Sequence, residues 1–368
     1  METSAPGKLM LSGEWSVLEN GVPCIVMAID DRVNCHITEN DFIILNAKDI
    51  GLEKIKGEFD GEKVFWKNLK EEQKGKISVS EKVIETTLKY LKENGIKTKN
   101  FLIETSSKIS EVEIEKGKRV KVGFGSSAAA AVAMTAAVLK LHGMQIEKES
   151  VFKLACIAHY FAQGKTGSAF DVAASTFGGV IVYSRFDEKW LVGEIEQGKK
   201  ITEIVEEKWK NLSITPIELP KDLQLSVGFV GYSASTKELI IKLHKEFREQ
   251  HKESYDEIIN SIKACTEKII IAIKEKNRKK IIELLRENRK LLQQLSNESN
   301  ANLETKELAL LANIAEKNNA AGKFSGAGGG DCGIAVCFDK KTAGKIKKEW
   351  EKNNIYPIEV KIAEKGVE

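Results

Sequence analysis

The chain has 368 residues, room for two domains with cores of their own, and its 57 lysines and arginines nearly balance 54 aspartates and glutamates, leaving a formal net charge of +3. Charges of both signs are interspersed, so neither a nucleic-acid nor a membrane partner is expected, and Lys340-Lys341 or Lys347-Lys348 read as solvated helix faces. The six cysteines form no Cys-x-x-Cys pair, and no secretory leader or long apolar segment is visible; packed thiols, no zinc site and a cytoplasmic location are expected.

Short strands are predicted over 9–12 and 22–29, around a turn at Glu19-Asn20-Gly21, with two more near Asn34–Glu39 and Phe42–Asn46. Residues 51–76 are polar and dotted with glycine, which suits a hairpin and loop. Val83, Ile84, Leu88 and Leu91 share one face of a predicted helix, Ser80–Asn94. Residues 100–106 alternate as a strand. Next comes Lys121-Val-Gly-Phe-Gly-Ser-Ser-Ala-Ala-Ala-Ala-Val-Ala, whose alanines predict a helix from about Ser127 to Leu141. Helices near 148–163 and 169–176 and a strand over Gly178–Tyr183 follow. Residues 186–222, charged and containing Pro216 and Pro220, are expected to hold the domain junction. Beyond them lie a strand at Leu223–Val230 and amphipathic helices at about 235–250, 254–275, 278–296 and 304–318. A glycine loop at 326–330, a strand over Gly333–Phe338, a helix at 341–353 and a strand at 356–362 complete the pattern. Alternating elements with antiparallel hairpins at the start give an α+β class with two layers per domain.

The Gly-x-Gly-Ser-Ser stretch carries chemistry. A helix N-terminus has unpaired N–H groups and the positive end of a dipole, and glycines let a phosphate approach that backbone closely. A polyphosphate site is therefore expected over Gly123, Gly125, Ser126, Ser127 and Ala128. The same residues fit a dinucleotide-binding fingerprint, but Gly143 to Glu149 opens a helix where that motif wants an acidic strand end. Gly164-Lys165-Thr166 is not a Walker A loop, because His159 stands where its first glycine belongs.

Two further loops complete the pattern: Ser4-Ala-Pro-Gly-Lys8-Leu-Met-Leu-Ser-Gly-Glu14 and Lys323-Phe-Ser-Gly-Ala-Gly-Gly-Gly-Asp331-Cys-Gly333. The trio, in this order, resembles the GHMP kinase superfamily across nearly the whole chain. Lys121 before the Gly-x-Gly-Ser-Ser loop, Ala162-Gln-Gly-Lys-Thr-Gly-Ser-Ala-Phe-Asp171-Val-Ala-Ala174 and Val227-Gly-Phe-Val-Gly-Tyr-Ser-Ala-Ser-Thr-Lys237 are most similar to the phosphomevalonate kinases within it. The resemblance implies a two-domain GHMP kinase fold. Residues 1–200 would form an ATP-binding domain like ribosomal protein S5 domain 2, and 201–368 a ferredoxin-like domain. It also implies ATP and Mg²⁺ as cofactors, mevalonate 5-phosphate as the small-molecule partner, and a monomer or homodimer. Phe124, Ala169, Phe229 and Val230 depart from the usual residues. So does the window Ala158-His-Tyr-Phe161, which has no carboxylate where mevalonate and homoserine kinases hold Mg²⁺ with a glutamate.

The resemblance puts Lys8, Lys121 and Asp171 at the catalytic centre. It gives Lys165, Ser168, Ser235, Thr236, Lys237, Gly328, Gly329 and Asp331 to the substrate, and Ser127 (Ser126 second) to the metal. Each has a plainer reading beside it: N-caps for the serines and Asp171, solvated charges for Lys165 and Lys237, a tight turn for the third glycine loop. His159, on a predicted helix, reads as packed or hydrogen-bonded rather than a ligand, and Glu14 ranks below the lysines.

Overall fold

The computed structural model describes residues 1–107, 111–115, 118–233 and 236–368. Its first sheet begins with β1 (Glu2–Ser12) antiparallel to the long β2 (Pro23–Glu39). The segments expected at 22–29 and 34–39 are thus one strand, and its apolar run Cys24–Ile29 is buried on both faces. The sheet continues through β3 (Ile43–Ala47), the hairpin β4–β5 (Leu52–Phe59, Val64–Trp66) and β6 (Phe101–Ser107). A separate hairpin, β7 (Glu111–Glu115) and β8 (Lys118–Lys121), leads into the phosphate-loop sequence.

Four helices cover this sheet: α1 (Lys74–Glu93), α2 (Ser126–Leu141), α3 (Lys148–Ala162) and α4 (Phe170–Phe177). The alanine-rich α2 is buried almost all round, because small side chains let it lie against β1 and β2 with α1 and α3 on its flanks. β9 (Val180–Ser184) then pairs with β2. The segment expected to hold the junction is itself structured, as α5 (Glu188–Glu196), α6 (Ile201–Glu206) and β10 (Ser213–Pro216). β10 extends the edge of the first sheet by pairing with β9, with Pro216 at its end, where a missing N–H costs no ladder bond.

The second sheet is antiparallel, in the order β12 (Ala321–Phe324), β13 (Cys332–Cys337), β11 (Gln224–Phe229), β14 (Tyr356–Ile358). α7 (Thr236–Ile240) passes through a π-helical stretch, Ile241–Phe247, into α8 (Arg248–Gln250). α9 (Lys252–Lys274), α10 (Arg278–Glu298), α11 (Lys306–Lys317) and α12 (Lys340–Glu351) follow. α10 and α11 pack on β12 and α12 on β11, while α9 reaches β2. Ser12 and Thr266 bond through their hydroxyls at 2.9 Å across this join. The chain end returns to the first sheet, where Ser4 and Glu368 exchange backbone hydrogen bonds at 2.8 and 3.1 Å. All six cysteines are buried and unpaired. Among the described residues no helix is long and apolar enough to cross a membrane.

Candidate active site

The Gly-Phe-Gly-Ser-Ser loop is anchored by its phenylalanine. Phe124 is fully buried, while Gly123 and Gly125 face a cavity of about 380 Å³ lined from both halves of the chain. β1 runs alongside: the Lys8 N–H donates to the Phe124 carbonyl at 2.8 Å. A Cβ on Gly7 would stand 2.7 Å from that oxygen, so only glycine lets the strand come this close. Lys8 is thereby delivered to the cavity, where its Nζ donates to the Gly123 carbonyl at 3.1 Å and lies 5.9 Å from the Phe170 ring.

Gly125 sits at the N-cap of α2 in the left-handed region, φ 82°, and no side chain caps the helix. The first-turn N–H groups keep their donor capacity. Ser126 and Ser127 line the cavity, and the Ser127 hydroxyl is 3.1 Å from His159 Nε2 instead of capping the helix. The Ala128 side chain is buried behind them. α4 repeats the device: Ala169 precedes it at φ 61°, again with no side-chain cap. A side chain in that region costs about 1–2 kcal/mol, which Ala169 carries and a glycine would not. Asp171, in the first turn of α4, lines the cavity and accepts the Val172 N–H at 2.9 Å. The uncapped N-terminus of α2 therefore opens onto the cavity with Lys8 beside it, an arrangement that attracts a polyanion, while the start of α4 presents the Asp171 carboxylate.

The second half closes the other wall. Asp331 Oδ1 accepts from the Gly123 N–H at 2.9 Å and from the Ser233 hydroxyl at 3.3 Å. A Cβ on Gly123 would lie 1.8 Å from Asp331 Oδ2. Gly326 and Ala327 also line the cavity. Gly328 and Gly329 do not: the Gly329 N–H donates to the Leu303 carbonyl at 2.7 Å, and a Cβ on Gly328 would stand 2.5 Å from the same oxygen.

Lys121 ends β8 outside the cavity lining. Lys165 is outside it too, with its Nζ 2.7 Å from Glu196 and over the Phe161 ring at 5.5 Å. Thr166, Gly167 and Ser168 of the same turn do line it, and the Ser168 carbonyl accepts the Tyr183 hydroxyl at 2.6 Å. Ser235 lies outside the described residues, and so do the side chains of Thr236 and Lys237, which open α7.

Several lining residues were missed or ranked low, among them His159, Gln163, Glu14 and Trp15. His159 is buried, its Nε2 also 3.1 Å from the Gln163 amide nitrogen; burial pushes its imidazole down, against an opposing pull from Asp171. The signal was the spacing, since residues four apart share a helix face. Glu14 forms a buried ion pair with Lys323 of β12. Burial pushes the Lys323 ammonium down while Glu14 pulls it back up. The second Glu14 oxygen, Oε2, and Trp15 Nε1 are buried without a protein partner. No group of three metal-ligating side chains occurs among the described residues. Ser127 and Asp171 give the cavity oxygen donors, while the unpartnered Glu14 oxygen is sealed beneath it. That set fits a magnesium ion that keeps several waters and relies on phosphate oxygens. A larger concavity, about 800 Å³, lies elsewhere against β1, β2, β3 and β6, lined by Thr3, His36, Asn46 and Glu104 among others. Neither glycine loop reaches it, so the chemistry belongs to the smaller one.

Comparison with known proteins agrees with this architecture. The model of the GHMP kinases N terminal domain matches residues 81–179, and that of the GHMP kinases C terminal region matches 269–355. The phosphomevalonate kinase of Streptomyces sp. (strain CL190) is 28% identical over 373 residues, covering 99% of this chain and 97% of that protein. The mevalonate kinase of Thermococcus sibiricus is 31% identical over 367 residues, covering 99% and 96%. The structure of Streptococcus pneumoniae phosphomevalonate kinase in complex with phosphomevalonate and AMPPNP shares the fold, with a TM-score of 0.81 at 24% identity over 98% of this chain and 99% of that one. With its glycine loops, its two-domain α+β architecture and these matches over its whole length, the chain belongs to the GHMP kinase family of ATP-dependent kinases.

Proposed function

We propose that this kinase transfers the γ-phosphate of ATP to mevalonate 5-phosphate, giving mevalonate 5-diphosphate and ADP. The observation that carries the reading is the convergence on one cavity of Lys8, the uncapped α2 N-terminus and Asp171 at the start of α4. The acceptor is itself a phosphate, so two anions must be held together, and transfer depends on positioning and charge neutralisation. The relative from Streptomyces, matched end to end, carries the same name as this activity.

In this reading the N–H groups of the 123–128 segment hold the β- and γ-phosphates. An acceptor phosphate oxygen bonds to the γ-phosphorus as the bond to the β,γ-bridging oxygen breaks, and ADP leaves with the electron pair. Lys8 neutralises charge where the two phosphates meet, and Lys121 adds positive potential from outside the cavity. The second ionisation of a phosphate has a pKa of about 6, so at neutral pH Asp171 orients Lys8 and the acceptor more than it removes a proton. Ser168, Ser235, Thr236, Lys165 and Lys237 hold the acceptor's existing phosphate. Asp331 ties the third loop to Gly123, and Gly328 and Gly329 let that loop turn. Magnesium, when bound, neutralises the β- and γ-phosphates, and Ser127 would hold it.

Mevalonate is the second candidate acceptor. The Lys165 ammonium is engaged by Glu196 and turned from the cavity, as suits an acceptor without a phosphate, and the Thermococcus sibiricus relative is a mevalonate kinase. An ADP-release assay with ATP and Mg²⁺ against mevalonate, mevalonate 5-phosphate, mevalonate 5-diphosphate, homoserine and galactose separates them. Turnover with mevalonate 5-phosphate is expected; turnover with mevalonate alone overturns the reading.

A further inference from the structure

The Ser127 hydroxyl raises a question of orientation. An alcohol that turns its lone pairs toward a cation or a phosphate-bound cation must send its proton elsewhere. Among the described contacts of Ser127 Oγ, the partner is His159 Nε2 at 3.1 Å. The same ring nitrogen faces the Gln163 amide nitrogen at 3.1 Å. With the amide nitrogen on that side, the ring nitrogen it faces is the unprotonated one, an acceptor. The neighbouring hydroxyl then donates to the same lone pair and shares it with the amide. His159 is 3% exposed and lines the cavity, while Ser127 and Gln163 are exposed, so the two contacts are partly buried at its wall.

We propose that His159, with its Nε2 kept unprotonated by the Gln163 amide, is a positioning residue: it takes the Ser127 hydroxyl hydrogen bond and so turns the Ser127 oxygen lone pairs toward the magnesium–nucleotide. Gln163 is the tautomer-setting partner. The Ala158–Phe161 window, which has no carboxylate, thus supplies a hydrogen-bond acceptor behind the metal-side hydroxyl. Outer partners of this kind typically change metal affinity or activity by about 10–100-fold. The inference rests on the nucleotide half of the reading above and not on the identity of the acceptor.

Two measurements test it without turnover. In the native protein, long-range ¹H–¹⁵N NMR of the histidine rings should show His159 as the Nδ1–H tautomer; a protonated Nε2 overturns the proposal. Calorimetry with a non-hydrolysable ATP analogue, with and without Mg²⁺, should show His159→Leu weakening the Mg²⁺-dependent component at least about tenfold, with His159→Gln recovering most of it. In a Ser127→Ala background His159→Leu should add little further loss, because the two act as one unit. An equal loss without Mg²⁺, or full additivity with Ser127→Ala, overturns the proposal. Melting curves identify any variant that fails to fold, and the tautomer measurement then decides alone. Failure of mevalonate 5-phosphate as an acceptor would leave both readouts untouched.

Discussion

The two glycine loops are alike as text and different as structure. At 123–127 the glycines flank a buried phenylalanine, and Gly125 starts a helix that no side chain caps, so its N–H groups are open to a ligand. At 326–330 the middle glycines turn inward: Gly328 and Gly329 pack on the Leu303 carbonyl, and the loop meets the cavity through Gly326, Ala327 and Asp331. Glycine leaves a helix start open to the cavity in the first loop and admits the protein's own backbone in the second. Counting glycines does not tell these apart; the atoms that a Cβ would strike do.

The largest expected effect bears on what the first loop has and the second lacks, a cation and a carboxylate beside an open helix start. Lys8→Ala and Asp171→Ala should each lower kcat by about 10²–10³ while leaving nucleotide affinity far less changed. Steady-state kinetics with the acceptor that turns over in the ADP-release assay checks this; a near-normal kcat in Asp171→Ala would reduce that residue to a helix-terminal carboxylate.

Next is Gly125→Val. A left-handed valine costs about 1–2 kcal/mol, and its Cβ would press on the Lys8 stem, 3.0 Å from Cγ. ATP affinity measured by calorimetry should fall by at least about tenfold in protein that still folds. Gly328→Ala is the sharpening partner. Its φ of 78° and the 2.5 Å approach to Leu303 predict a loss of folding stability of about 1–3 kcal/mol, read from denaturant unfolding, with ATP affinity of the folded protein unchanged. If Gly328→Ala weakens ATP binding as much as Gly125→Val does, the division of labour between the loops is wrong.

The smallest effect is Lys165→Ala. Its partner Glu196 is well exposed, so the pair contributes about 1 kcal/mol or less and the melting temperature should hardly move. The KM for mevalonate 5-phosphate should rise at unchanged kcat, the mark of uniform binding, as the acceptor phosphate draws Lys165 from Glu196. An unchanged KM favours mevalonate as the acceptor.

Much of this site was legible along the chain. The alanine run predicted α2 to within a residue, because helix propensity and an N-terminal glycine act over one turn. The β4–β5 hairpin followed from local polarity and glycine, while the pairing of β3 with β4 did not. Local signals placed Ser127 and Asp171 at helix starts, and the structure joins them in one cavity with Lys8, which lies inside β1 and not ahead of a strand beginning at residue 9. Harder cases depended on distance. β12, four residues long, was unseen because strand pairing with β13 makes it a strand, not its own short run. β10 looked like junction because its charged neighbours hid a pairing with β9.

The sequence by itself determined the helix starts, the glycine turns and the class of chemistry, since dihedral preferences and a supply of free N–H groups are properties of a few adjacent residues. Tertiary structure alone decided which of those residues meet. It brought Asp331 to the Gly123 N–H across 208 residues and Lys323 to Glu14 across 309, and it turned Lys165 toward Glu196 and away from the cavity. It also brought His159, placed by α3 packing against α2, to the Ser127 hydroxyl. Such contacts are set by how two sheets and their helices pack, and no local preference encodes them.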